Sequence, residues 1–75
     1  MSAKRWRVEY KAQQEDGFSA FYAESFASAR GWCRRFVADS RRNEAQAAIY
    51  ADPEGRCFAA WRNEHGRAVR EVLDR

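Results

Sequence analysis

The sequence predicts an α+β domain in which an antiparallel sheet of four to five strands carries one helix on one face, in the order β-β-α-β-β-β. Two observations predict this fold. Segments that alternate apolar and polar residues lie on both sides of one segment with helical periodicity, residues 26–40. Turns that contain glycine separate the alternating segments. Because 75 residues suffice for only one hydrophobic core, we expect a single domain over residues 1–75.

The first two strands are predicted to form a hairpin. In "RWRVEYKA" the charged residues fall on one face and the others on the opposite face: Trp6, Val8, Tyr10 and Ala12. The pair Asp16-Gly17 is a turn signal, and "FSAFYAE" after it is predicted to be the second strand.

One helix follows, from about Phe26 to Ser40. Ser25 is suited to cap it, because its hydroxyl can accept a backbone N–H of the first turn. Helical periodicity gives a core face with Trp32 at its margin: Phe26, Ala29, Cys33, Phe36, Val37 and Ser40. Gly31 lies mid-helix, where glycine costs about 0.5–1 kcal/mol relative to alanine, which suggests that another group approaches closely there.

Three further segments complete the predicted sheet. "EAQAAIYAD" is the third strand and "RCFAAWRN" the fourth, separated by the turn "DPEG". Alternation in the fourth strand groups Cys57, Ala59 and Trp61 on one face, but it does not decide whether Trp61 and Tyr50 face the helix. "RAVREVLDR" fits either a helical stripe or a strand after the turn "NEHG", and we favour the strand.

The charge and the aromatic content suggest a binding protein. The net charge is +3, with 14 basic residues interleaved among 11 acidic ones. Twelve of the bases are arginine, which binds carboxylate and phosphate in planar geometry, although a GC-rich coding sequence explains the same bias. Three tryptophans, three tyrosines and five phenylalanines exceed what one helix on a small sheet is expected to cover, so we expect some rings on the surface.

The residues that carry chemistry are few. His65 is the only histidine and lies in a predicted turn, and no CxxC motif is present. Cys33 and Cys57 allow one disulfide, but we expect both to be reduced and buried. We therefore expect no catalytic residue, no metal and no cofactor, and thus a protein that is not an enzyme. "MSAKRWRVEY" lacks the apolar run of a signal peptide, so a cytoplasmic protein without a membrane partner is expected.

The helix carries the candidate interface. Arg30, Arg34 and Arg41 follow one flank for two to three turns. The alternative is a solvated flank, on which Arg35 and Arg42 bond the nearby acids Asp39 or Glu44. A tryptophan on the other flank and a tryptophan–arginine pair in the fourth strand extend the candidate set. The candidate partner-binding residues are Arg30, Trp32, Arg34, Arg35, Arg41, Arg42, Trp61 and Arg62.

The layout resembles a known class of proteins. A hairpin leads through "AESFASARGWCRRF" into one helix, and "AAIYADPEGRCFAAWRNEHGRAV" follows as a meander. This resembles small phage-encoded anti-CRISPR proteins that inhibit type I effector complexes, some of which share a ββαβββ arrangement. The resemblance implies an inhibitor without enzymatic activity in the bacterial host cytoplasm. It would occupy a protein surface of the crRNA-bound complex, such as a Cas backbone subunit, and stop target DNA from pairing. The contact residues it implies are Arg30, Trp32, Arg34, Arg35 and Arg41.

Two other interpretations remain open. A small basic nucleic-acid-binding domain would use the arginine row on phosphates. "RVEYKAQQEDGFSAFYAESFASARGWCRRF" is also similar to the opening β-β-α of small antitoxins with a partial ribonuclease-H fold. A homodimer is compatible with each interpretation, because an uncovered sheet face or a free edge strand invites pairing.

Overall fold

The computed structural model describes residues 5–12, 17–39 and 45–72. The elements within them are β1 (Arg5–Lys11), β2 (Ser19–Ala23), α1 (Phe26–Ala38), β3 (Gln46–Asp52), β4 (Arg56–Glu64) and β5 (Arg67–Arg70). The strands form one antiparallel sheet in the order β2-β1-β3-β4-β5. The predicted α+β fold and the ββαβββ order are confirmed. The segment "RAVREVLDR", for which the sequence allowed a strand or a helix, contains the strand β5.

The core lies between α1 and one face of the sheet, which we call the helix face. Val8 in β1 pairs with Phe21 on one side and with Ile49 on the other. Val8 and Ile49 are fully buried because the helix covers both central strands. Small residues let the helix backbone approach the sheet closely. The buried small residues between the two are Ala29 and Cys33 of α1 and Ala47 and Ala59 of the helix face.

The helix begins where the capping residue predicted it. The Ser25 hydroxyl accepts a hydrogen bond from the Ser28 backbone N–H at 3.1 Å. The buried positions of α1 are Ala29, Cys33 and Val37, as the helical periodicity predicted. The described helix ends at Ala38, and the predicted end at Ser40 lies outside the described residues.

A β-bulge in β4 corrects the predicted alternation of that strand. Ile49 pairs with Ala59, whereas its neighbour Tyr50 pairs with Cys57, so Phe58 is the extra residue. An extra residue shifts all preceding side chains to the opposite face. Cys57 therefore lies on the face opposite the helix, which we call the open face, and not with Ala59 and Trp61 as predicted. The ring of Phe58 packs on the helix face, 5.4 Å from the ring of Trp6.

Candidate interaction surface

The outer side of α1 carries three exposed arginines, Arg30, Arg34 and Arg35. Arg30 and Arg34 are four residues apart and so lie above one another on the helix surface. Within residues 5–12, 17–39 and 45–72, no ion pair involves any of the three. In particular, the alternative pairing of Arg35 with Asp39 is not formed. Among the described residues, these guanidinium groups are therefore not neutralised by a carboxylate.

A shallow groove of about 460 Å³ runs between α1 and β5. Arg34, Arg35 and Arg67 line it, and none of the described residues that line it is acidic. Its other lining residues are Gly31, Ala38 and Ala68, which are small enough to leave the groove open. We call this feature the cationic groove. Arg34 and Arg35 are exposed on the helix side of the groove, whereas Arg67 on the β5 side lies opposite Glu64 of β4. The positive groups around this floor of small residues can receive carboxylate or phosphate groups.

Gly31 has no packing role in the described chain. A Cβ added at this position would lie 3.5 Å from Nη1 of Arg35 and, apart from its chain neighbours and the helix's own backbone, would meet no other described atom within 4 Å. The close approach suggested by a mid-helix glycine is therefore not made by any described part of the chain. The glycine instead widens the cationic groove.

Trp32 belongs to the margin of the core. Its ring stacks on Phe36 with centroids 5.0 Å apart, and it meets Tyr10 and Phe21 edge-on at 4.9 and 4.8 Å. The half-buried ring also lines a hollow beside Arg35 and Asp39. Only part of the Trp32 ring is thus available to a partner.

The structure answers the question left open for Trp61 and Tyr50. Trp61 is 4 % exposed and packs in the core under the helix, so we remove it from the candidate contact residues. Tyr50 lies on the open face, where the Arg7 guanidinium is 4.8 Å from its ring centroid. More aromatic rings pack between α1 and the helix face than the sequence suggested. The rings packed there are Trp6, Tyr10, Phe21, Phe26, Trp32, Phe36, Phe58 and Trp61.

The remaining candidates lie elsewhere. Arg62 is on the open face, where it pairs with Glu64 at 3.2 Å and Glu71 at 3.7 Å. Its charge is therefore already balanced within the chain. Arg41 and Arg42 lie outside the described residues. Arg67, which the sequence did not single out, joins the groove because β5 lies beside the helix.

Arg7, in contrast, forms ion pairs with acidic residues of the same chain. Its Nη1 lies 2.9 Å from both carboxylate oxygens of Asp52, and the Tyr22 hydroxyl donates to the same carboxylate at 2.8 Å. Nε of Arg7 is 3.1 Å from Glu9, an ion pair without hydrogen-bond alignment. Partial desolvation alone would lower the pKa of Arg7, but the carboxylates of Asp52 and Glu9 raise it above its ordinary value.

Cys33 lies in α1 and Cys57 on the open face of the sheet, and both are free. Burial raises the pKa of the Cys33 thiol to about 12, so this thiol is protonated at neutral pH. Cys57 is half-buried, and desolvation raises its pKa as well. His65 is exposed in the β4–β5 turn. In the part of the chain that the structure describes, no three His, Cys, Asp or Glu side chains are grouped to hold a metal ion.

Comparison with protein-family models, with curated proteins and with solved structures found no significant match for this chain. Among the described residues, no helix has both the length and the apolar character needed to span a membrane.

Proposed function

We propose that this chain is a non-enzymatic protein-binding module that docks on an acidic partner surface through the cationic groove. The observation that carries the proposal is the placement of Arg34, Arg35 and Arg67 around one groove whose described lining residues include no acid. Arg7 and Arg62, in contrast, are neutralised by carboxylates of the same chain. Exposed arginines at the centre of a contact surface are among the residues that contribute most to binding.

The more specific proposal is an inhibitor of a type I CRISPR effector complex. Its support is the resemblance of the β-β-α-β-β-β layout to phage-encoded anti-CRISPR proteins. Such an inhibitor needs no catalytic group, because occupying a subunit surface is enough to exclude target DNA. In this proposal the groove and the adjacent Arg30 contact acidic side chains of a backbone subunit, and the rest of the small domain supplies the steric block.

The test is binding of target DNA by a purified type I effector complex, followed by fluorescence anisotropy with and without this protein. We expect the unchanged protein to abolish DNA binding and the variant Arg34→Glu to inhibit at least tenfold more weakly, because it places an acid in the groove. Arg56→Glu is the matched control. It makes the same charge change at an exposed position that does not line the groove. Unchanged DNA binding in the presence of the protein would refute the inhibitor proposal.

A nucleic-acid-binding domain is the second candidate, because the same three guanidinium groups can contact phosphates. Each neutralised phosphate releases counterions, so three contacts give an affinity that falls with salt at a logarithmic slope of about −2.7 on duplex DNA. Titration of labelled DNA and RNA at low and at physiological salt separates the two candidates. Micromolar binding that disappears in Arg34→Glu would favour the nucleic-acid function over the protein-binding one.

A further inference from the structure

We propose that β2 is a homodimerisation strand. Two copies of the chain pair their β2 strands antiparallel about a two-fold axis at Phe21, and the two five-stranded sheets become one continuous sheet. This proposal does not depend on the function of the cationic groove, which lies at the other side of the molecule beside β5.

The two edges of the sheet differ in how they are protected. β5 begins and ends with the exposed residues Arg67 and Arg70, and charges on an edge strand oppose pairing with another strand. β2 (Ser19–Ala23) has the sequence SAFYA, without a charge or a proline. Its outer backbone groups are offered to a further strand, because β1 pairs with only one side of β2.

The most exposed aromatic side chains lie at the same edge. Phe18 is 52 % and Tyr22 is 48 % exposed, whereas the other rings are half-buried or buried. Exposed aromatic rings beside the free side of an edge strand are typical of a contact surface. This edge therefore combines an uncharged strand with two exposed rings, each of which has a cation of β1 beside it: Arg5 at Tyr22 and Lys11 at Phe18.

The sequence of β2 is self-complementary in one antiparallel register. With Phe21 opposite Phe21 of the second copy, all five strand residues pair, and Ala20 lies opposite Tyr22 of the second copy. A small residue thus meets a large one at both symmetric positions. Tyr22 leaves the edge clear, because its hydroxyl reaches across β1 to donate to Asp52 in β3 at 2.8 Å.

The same register joins two aromatic clusters on the helix face. The ring of Phe21 is 4.8 Å from Trp32 and 6.0 Å from Tyr10 within one copy. Directly opposed residues of antiparallel strands have Cβ atoms about 4.5–5.5 Å apart, so the two Phe21 rings would meet at the axis. Their contact would cover the margin of the core that the single chain leaves half exposed.

Charges on the open face are complementary in this register. Continuing the pairing beyond the strand places Glu24 beside Phe18 of the second copy. Lys11 lies over the Phe18 ring of its own chain, with Nζ 5.7 Å from the ring centroid. Each Glu24 therefore approaches a lysine of the other copy. The outer edges of the resulting sheet are both β5, whose arginines end the assembly at two chains.

Sedimentation equilibrium of the whole protein tests the proposal, at concentrations from about 5 to 500 µM. We expect the mass to rise with concentration from 8.8 kDa towards twice that value. The variant Ala20→Lys places a cation opposite Tyr22 of the second copy, whose ring already lies 3.9 Å from the Arg5 guanidinium. We expect it to weaken the dimer at least tenfold.

Ala38→Lys is the matched control, because it makes the same Ala-to-Lys change at an exposed position at the end of α1, beside β5 and away from the β2 edge. It is expected to dimerise like the unchanged protein, and circular dichroism establishes that both variants are folded. A chain that stays monomeric at the highest concentration would overturn the proposal. A dimer that Ala20→Lys leaves intact would also overturn it, since the interface would then lie elsewhere.

Discussion

The side chain of Asn63 in β4 donates a hydrogen bond from Nδ2 to the backbone carbonyl oxygen of Val37, 2.7 Å away in the last turn of the helix. Oδ1 of the same side chain accepts from the backbone N–H of Gly66 at 3.2 Å. Asn63 is 8 % exposed. One buried amide thus ties the end of α1 to the β4–β5 turn and satisfies a helix carbonyl that has no partner within the helix.

Replacing this amide should destabilise the fold. Asn63→Ala leaves the Val37 carbonyl and the Gly66 N–H without their partner, so we expect the free energy of unfolding to fall by about 1–3 kcal/mol. Urea denaturation followed by circular dichroism measures the change. The neighbouring variant Glu64→Ala removes only an exposed ion pair and should cost under about 1 kcal/mol. Equal stabilities for the two variants would contradict the assigned role of Asn63.

Gly31→Ala should stabilise the isolated protein. The added Cβ meets only the end of the Arg35 side chain at ordinary contact distance, while helix propensity improves by about 0.5–1 kcal/mol. For a domain of this size the thermal midpoint should rise by roughly 2–8 °C. Gly66→Ala is the contrasting variant and should lower the midpoint, since Gly66 has a φ of 80° that L-residues rarely adopt. A lower midpoint in Gly31→Ala would mean that the groove floor is more tightly packed than described.

Stability should decline at alkaline pH because of Cys33. Its thiol ionises at about 9.0 in the unfolded chain and at about 12 in the folded protein. The stability contributed by the neutral buried thiol is complete below pH 9 and is lost as pH rises towards 12, by up to about 1.4 kcal/mol per pH unit. Urea denaturation between pH 8 and 10.5 should therefore give a shallower pH dependence for Cys33→Ala than for the unchanged protein. Parallel curves for the two proteins would refute this assignment.

Loss of the Asp52 charge should lower the free energy of unfolding, because Asp52 joins Arg7 and Tyr22 on the open face. Asp52→Asn removes the ionic partner of Arg7 and weakens the acceptor of the Tyr22 hydroxyl. Because these groups are only partly exposed, we expect a loss of about 1–2 kcal/mol in unfolding free energy. Glu71→Gln breaks the longer, exposed contact with Arg62 and should change stability by less than about 0.5 kcal/mol. A comparable loss in the two variants would show that the Arg7 cluster adds nothing beyond surface ion pairing.

Several elements of the fold could be predicted because local sequence decides them. Alternation in "RWRVEYKA" places Val8 in the core, and the hydroxyl of Ser25 caps the helix where a capping residue was expected. Helical periodicity also placed Arg30 and Arg34 on an exposed side. Each of these features depends on residues within one or two helical turns, or on regular alternation along a strand without a bulge.

Other features depend on contacts distant in sequence and could not be predicted. The face of Cys57 depends on a bulge at Phe58 that appears only when β4 pairs with β3. The burial of Trp61 follows from the same register. Arg67 joins Arg34 at the cationic groove because β5 is the strand beside the helix.

By itself, the sequence determined the order of the elements, the cap of the helix and the polarity of each regular strand, because backbone periodicity and capping are local properties. Only the tertiary structure decided which arginines pair with acids, as Arg7 and Arg62 do, and which arginines lie together around a groove. It also decided that the uncharged strand β2 lies at an edge of the sheet. Those properties depend on strand register and on the side of the sheet that the helix covers, both of which arise from packing between residues far apart in the chain.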